Sequence, residues 1–215
     1  MGATVFLIDD DQSFRRALVR LLNSRNYQAK AYASAHEFLQ EQLPDVPGCL
    51  ILDLKMPAIN GLEIQNSLAQ RGEHLPVIFL SGHGDISTSV RAMKAGAVDF
   101  LTKPVDGEKL VSAVHLALER SSRIRDEQGA LKRDKEAFQS LTPRERDVCI
   151  RVAQGLLNKQ VGFELGTTEK TVKAQRARMM QKLGASSLTD VVRLMERLSR
   201  SGGIARPGTD AKSSR

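Results

Sequence analysis

The hydrophobic pattern changes period part-way along the chain. Up to about residue 120, short apolar runs alternate with stretches whose apolar residues recur every three or four positions. The runs predict strands at 4–9, about 28–32, 49–53, 76–80 and 98–102. The stretches between them predict helices at about 12–26, 34–42, 60–71, 85–95 and 106–120. Cys49-Leu50-Ile51-Leu52-Asp53 shows no polar alternation, as a strand covered on both faces should. Phe14, Leu18, Leu21 and Leu22 give the first helix its apolar stripe.

Five strand–helix units imply a doubly wound parallel sheet with right-handed crossovers. The flavodoxin-like order 2-1-3-4-5 is the economical arrangement, because it sets the ends of strands 1 and 3 side by side at the switch point. The last helix continues past this unit. Leu110, Val114, Ala117, Ser121, Ile124, Gln128, Leu131, Lys135 and Phe138 keep a 4-3-4-3 spacing, the interval of a coiled-coil seam with polar residues at several seam positions. An exposed helical linker and a helix that pairs in a dimer both fit that pattern.

From Leu141 the period is helical throughout. Thr142, Pro143 and Glu145 make an N-cap, an N1 proline and a capping box for a helix reaching Gln154, before Gly155. A short helix, Asn158 to Leu165, is capped by Asn158 and ended by Gly166. Thr167 and Thr168 turn the chain into a helix from Glu169 to Leu183, with Gly184 after it. A final helix spans Ser187 to Arg200, and a Gly-, Ser- and Arg-rich tail follows. A short helix, a glycine turn and a longer basic helix form a helix-turn-helix pattern. Val191, Val192, Leu194, Met195 and Leu198 on the last helix serve either a core or a dimer contact.

Charge sharpens this division. Residues 1–118 hold 11 Lys/Arg against 13 Asp/Glu, whereas residues 119–215 hold 21 against 12. A basic second half suits a nucleic-acid partner or simply a solvated helical surface. Cys49 and Cys149 have no partner at a metal or redox spacing and read as buried thiols of a reducing cytoplasm. Neither a signal sequence nor a run of about 18 apolar residues is present, so no membrane partner is expected.

The candidate chemistry lies at the strand ends. Asp9, Asp10 and Asp11 follow strand 1, Asp53 ends strand 3, Ser81 follows strand 4, and Lys103-Pro104 follows strand 5. One acid after a strand usually caps a helix or accepts loop hydrogen bonds. Parallel topology, however, delivers all of these groups to one edge. Massed carboxylates repel unless a cation neutralises them, and hard oxygen ligands suit Mg²⁺ (or Mn²⁺). The set is that of a phosphate site in which one carboxylate is the nucleophile and becomes an acyl phosphate.

These residues and their intervals, with the Met56-Pro57…Gly61 loop, closely resemble the receiver domain of two-component response regulators. Leu141-Thr142-Pro143-Arg144-Glu145, Asn158-Lys159, Thr171-Val172-Lys173, Arg176 and Lys182-Leu183 resemble a LuxR-type helix-turn-helix. Ser81-Gly82-His83-Gly84-Asp85 and Met93-Lys94-Ala95-Gly96-Ala97 point to the FixJ-like branch of the FixJ/NarL family. The resemblance implies a flavodoxin-like (βα)5 receiver at 1–120, a helical linker at 121–138, a small all-α helix-turn-helix domain at 139–200 and a disordered tail at 201–215.

It also implies roles. Asp53 accepts a phosphoryl group from a sensor histidine kinase. Asp10, Asp53 and the Lys55 carbonyl hold the metal, with Asp9 acting through water. Lys103, cis-bonded to Pro104, pairs with Asp53 and then with the phosphate. Ser81 and Phe100 switch, Phe100 standing where many relatives carry Tyr, and Gly82 leaves room for the phosphate. Lys55 and His83 are candidates for tuning water access. On the recognition helix Lys173, Ala174 and Ala177 face bases, while Lys159, Thr171, Arg176, Arg178 and Lys182 reach DNA phosphates. Gln175 and Phe163 depart from the residues common at their positions.

The expected protein is a cytoplasmic, phosphorylation-dependent transcription activator rather than an enzyme. Its partners would be a kinase, a palindromic DNA operator, RNA polymerase and, once phosphorylated, a second copy of itself. Two other classes compete. One is a constitutive DNA binder whose receiver only docks. The other is an Asp-nucleophile phosphohydrolase, which needs an acid two residues after Asp53, where Lys55 stands.

Overall fold

The computed structural model describes residues 2–54, 56, 61–82 and 86–202, with the backbone alone at 61, 62, 65, 66, 69 and 86–88. Its elements run β1 (Thr4–Ile8), α1 (Gln12–Ser24), β2 (Gln28–Tyr32), α2 (Ala35–Leu39), β3 (Gly48–Asp53), α3 (Gly61–Gln70), β4 (Val77–Ser81), α4 (Ile86–Lys94), β5 (Asp99–Thr102) and α5 (Gly107–Gln139). After these come α6 (Pro143–Ala153), α7 (Asn158–Glu164), α8 (Glu169–Leu183) and α9 (Leu188–Arg200). The chain folds as two compact units, Met1–Asp126 and Glu127–Arg215.

The first unit is a parallel sheet in the order β2-β1-β3-β4-β5. Every residue of β1, β3 and β4 is buried, which explains their unbroken apolar runs. The two-residue period sends alternate side chains to opposite faces. Val5, Leu7, Cys49, Ile51, Ile78 and Leu80 pack with Leu18 and Leu22 of α1 and Leu110, Ala113 and Val114 of α5. Phe6, Ile8, Leu50, Leu52 and Phe79 pack on the other face with Phe38, Ile64, Leu68 and Ala92. Burial pushes the Cys49 thiol up to about 12 and the Cys149 thiol up to about 11, so neither is a ready thiolate.

The stretch expected as a helical linker, 121–138, lies within one long helix. Helix α5 runs unbroken from Gly107 to Gln139, and Gly129 within it costs only about 1 kcal/mol against alanine. Leu110, Val114, Ala117 and Ser121 are buried in the first unit, where Ser121 Oγ accepts the Gly48 N–H at 3.0 Å. Leu131, Ala137 and Phe138 pack against the core of the second unit. The 4-3-4-3 spacing therefore records two intrachain cores. By packing, the two units divide between Asp126 and Glu127, where the helix itself carries no break.

The second unit is all helical. Thr142 and Glu145 form the capping box of α6, with Glu145 Oε2 accepting the Thr142 N–H at 2.9 Å. Thr168 caps α8, and Gly184 ends it in the left-handed region at φ 62°. Asn158 is the first residue of α7 rather than its cap; Leu157 precedes the helix and its N–H donates to Gln160 Oε1 at 2.7 Å. A Cβ on Gly162 would sit 2.9 Å from the Thr167 carbonyl oxygen, so this glycine lets α7 press against the turn before α8. Val191, Leu194, Met195 and Leu198 are buried in the unit's own core, and Val192 is half-buried. Of the two uses expected for the α9 residues, the described packing fills the first.

Candidate functional site

The carboxyl ends of β1, β3, β4 and β5 bring the predicted groups together. Asp9 and Asp53 are buried and Asp10 is exposed, yet each offers an oxygen within 4.8 Å of the others. Lys103 Nζ lies 2.6 Å from Asp9 Oδ2 and 2.7 Å from Asp53 Oδ2. Its backbone N–H donates to the Ser81 carbonyl at 2.8 Å, tying the ends of β4 and β5 together. The Lys103–Pro104 bond is cis. Ser81 is buried beside this edge, and Phe100 is half-buried against the apolar core of its face.

Burial raises the Asp9 carboxyl above the usual carboxylate range, even though Lys103 and the Asp11 N–H both favour its charged form. Burial also opposes charge on Lys103, but its bonds to Asp53 and Asp9 carry its pKa above the ordinary lysine value. One ammonium thus neutralises two buried acids in part and leaves a net negative cluster. Three carboxylates with hard oxygen atoms at this separation fit a divalent cation. Asp11 is not part of the pocket. It caps α1, accepting from the N–H groups of Ser13 and Phe14 at 2.8 and 3.1 Å.

Two neighbours carried no mark in the sequence. Phe14, expected only in the α1 stripe, places its ring centroid 4.3 Å from Lys103 Nζ. Arg15 Nη1 donates to the Asp9 carbonyl at 2.5 Å. The available signal was the short distance along α1 from the capping Asp11, which fixes the first helical turn beside the strand end. Lys55, Pro57, His83, Gly84 and Asp85 lie outside the described residues.

On the second unit, Lys173, Ala174, Ala177 and Arg178 are exposed on α8. At 100° per residue they share a face with Lys170 and Gln181, neither of which stood out in the sequence. Lys159 and Thr171 are exposed at the starts of α7 and α8. Arg176 and Lys182 are placed differently. Arg176 Nη1 donates to Asn158 Oδ1 at 3.1 Å, and Lys182 Nζ pairs with the buried Glu145 at 2.7 Å. That lysine, with the Thr142 N–H, holds the Glu145 carboxyl below its usual range.

A family model described as the response regulator receiver domain matches residues 5–115. A second, the luxR family of bacterial regulatory proteins, matches residues 139–195. Nodulation protein W of Bradyrhizobium diazoefficiens is 47% identical over 196 residues, covering 91% of this chain and 86% of that protein. The chain belongs to the FixJ-like response regulators. The transcriptional regulatory protein FixJ of Azorhizobium caulinodans is 39% identical over 88% of this chain and 90% of its own length. The solved structure of the response regulator StyR matches with a TM-score of 0.81 and 40% identity, over 92% of this chain and all of that one. Full-length FixJ from B. japonicum matches with a TM-score of 0.53 and 31% identity, over 92% and 97%.

The response regulator therefore joins a flavodoxin-like receiver unit to a LuxR-type DNA-binding unit, and a sensor kinase and DNA are the partners this pairing implies. Asp9, Asp10 and Asp53 form the acidic pocket by which receiver domains bind Mg²⁺. Among the described residues, no helix is long and apolar enough to cross a membrane. The A. caulinodans relative is, by its name, a transcriptional regulatory protein.

Proposed function

We propose that Asp53 is the phosphoacceptor of a cytoplasmic transcription activator. The observation that carries the assignment is the position of Asp53. It is buried at the end of the central β3, 2.7 Å from Lys103, beside two further carboxylates. A carboxylate oxygen of Asp53 attacks the phosphorus of a phosphohistidine on the kinase. The new O–P bond forms as the N–P bond breaks, and the electron pair stays on the imidazole nitrogen. Lys103 leaves Asp53 to balance charge on the transferred group, and the buried Ser81 hydroxyl supplies a hydrogen bond to it. Asp10 and Asp53, with the Lys55 carbonyl, would hold Mg²⁺ (or Mn²⁺), which neutralises charge on the phosphoryl oxygens. Phe100 is the aromatic that repacks when Ser81 moves. The chain transfers this group to itself and turns over no other substrate.

Phosphorylation shifts a two-state equilibrium towards a dimer through the α4–β5 face, where Val90 and Met93 are exposed. A two-fold dimer reads a palindromic operator and positions RNA polymerase. Lys173, Ala174 and Ala177 enter the groove, while Lys159 and Arg178 neutralise phosphates and the Thr171 hydroxyl hydrogen-bonds to one. Arg176 and Lys182, already hydrogen-bonded within the unit, hold α8 in place for the others. Incubation with acetyl phosphate and Mg²⁺, read by intact mass, tests the first step. Wild type should gain one phosphoryl group and Asp53→Asn none; equal gain in both would contradict the assignment.

A further inference from the structure

We infer that Phe14 is a positioning residue for phosphoryl transfer, holding the Lys103 ammonium through its ring; this rests on the reading of Asp53 as phosphoacceptor. The Lys103 ammonium is held from three directions. Asp9 and Asp53 accept from it at 2.6 and 2.7 Å, and the Phe14 ring lies 4.3 Å away. The lysine side chain is only 21% exposed, so the ring faces a largely desolvated cation, the setting in which cation–π attraction is strongest. The ring does not reach this place by chance of packing alone. Asp11 accepts the Phe14 N–H at 3.1 Å and fixes the first turn of α1, while Leu18 and Leu22 bury the following turns.

The three supports differ in how they bear on the reaction. Asp53 loses its free carboxylate when the acyl phosphate forms, so its bond to Lys103 must be given up. Asp9 is a charged, directional acceptor that competes with the incoming phosphoryl oxygens for the same protons. The aromatic face attracts the cation without a fixed donor direction. It keeps the ammonium at the site's edge while the N–H bonds rotate from the carboxylates to the phosphoryl group. An aliphatic side chain of similar volume would fill the space but supply no such attraction.

The test measures the initial rate of phosphoryl uptake from acetyl phosphate with Mg²⁺. There the Asp53 oxygen bonds to phosphorus and acetate leaves with the electron pair of the broken P–O bond. Phe14→Leu and Phe14→Met should slow uptake roughly three- to tenfold, while Phe14→Tyr should stay within about twofold of wild type. A lysine ε-methylene signal shifted upfield by the ring in wild type and Phe14→Tyr, and unshifted in Phe14→Met, would support the same contact. Melting temperatures identify any variant that fails to fold; if Leu fails, Met carries the comparison. Uptake by the folded aliphatic variants at the wild-type rate overturns the inference, as does Tyr falling as far as Leu. No uptake by wild type removes the Asp53 assignment itself, and this inference with it.

Discussion

The acidic edge of the first unit and the basic face of α8 solve opposite problems. The edge gathers Asp9, Asp53, Ser81 and Lys103 from four strands, with nearly a hundred residues separating the first from the last. Its two acids are buried and repel each other, and the half-buried Lys103 between them offsets part of that repulsion. The α8 face draws Lys170, Lys173, Ala174, Ala177, Arg178 and Gln181 from one helix, each of them exposed. Covalent chemistry needs the first design, because a nucleophile requires a controlled local field. Backbone recognition of a polyanion needs only the second, because phosphate contacts add up one by one.

Removing charge from each region should break this contrast in order of burial. Lys103→Ala strands two buried carboxylates side by side and should cost about 3 kcal/mol of first-unit stability in denaturant titration. Added Mg²⁺ should restore part of it, since the cation replaces the missing ammonium. Lys182→Ala should cost the second unit about 1–2 kcal/mol, because it leaves the buried Glu145 without its cation. If Lys182 reached DNA phosphates instead, the loss would appear in the salt dependence of binding. Arg178→Ala, at an exposed position assigned to a phosphate, should leave the melting temperature unchanged and lower the slope of log K against log salt by about 0.9.

The smallest effect belongs to the cap of α9. Asp190 accepts from the N–H groups of Ser186 and Ser187 and from the Ser186 hydroxyl, and these bonds lower its carboxyl to about 2. Its depressed folded pKa means the stabilisation is fully present above the unfolded value of about 4. It is lost as pH falls towards about 2. Asp190→Asn should flatten second-unit stability across that window, as circular dichroism would record.

Each region was legible in part. Strand ends are marked by unbroken apolar runs, so Asp9, Asp53, Ser81 and Lys103 could be placed on one edge once parallel topology was recognised. The direction of a helical face is equally plain, and Lys173, Ala174 and Ala177 fell where spacing puts them. Partners across the fold were not legible. Nothing near Lys182 in the sequence announces Glu145, 37 residues earlier, and a residue type alone cannot separate a solvated lysine from a paired one. Phe14 was hidden for a related reason: an apolar residue on a core stripe carries no mark of the cation above it. The extent of α5 was half legible, since its spacing persisted but its two packing partners lie in different units.

The most direct test titrates a DNA fragment carrying the operator with wild type and Asp53→Asn, each with and without acetyl phosphate and Mg²⁺. Wild type should bind more tightly and cooperatively when phosphorylated, with Asp53→Asn indifferent to the treatment. Equal stimulation of the two proteins, or a phosphorylated wild type that binds no better than before, would contradict the coupling of this carboxylate to DNA.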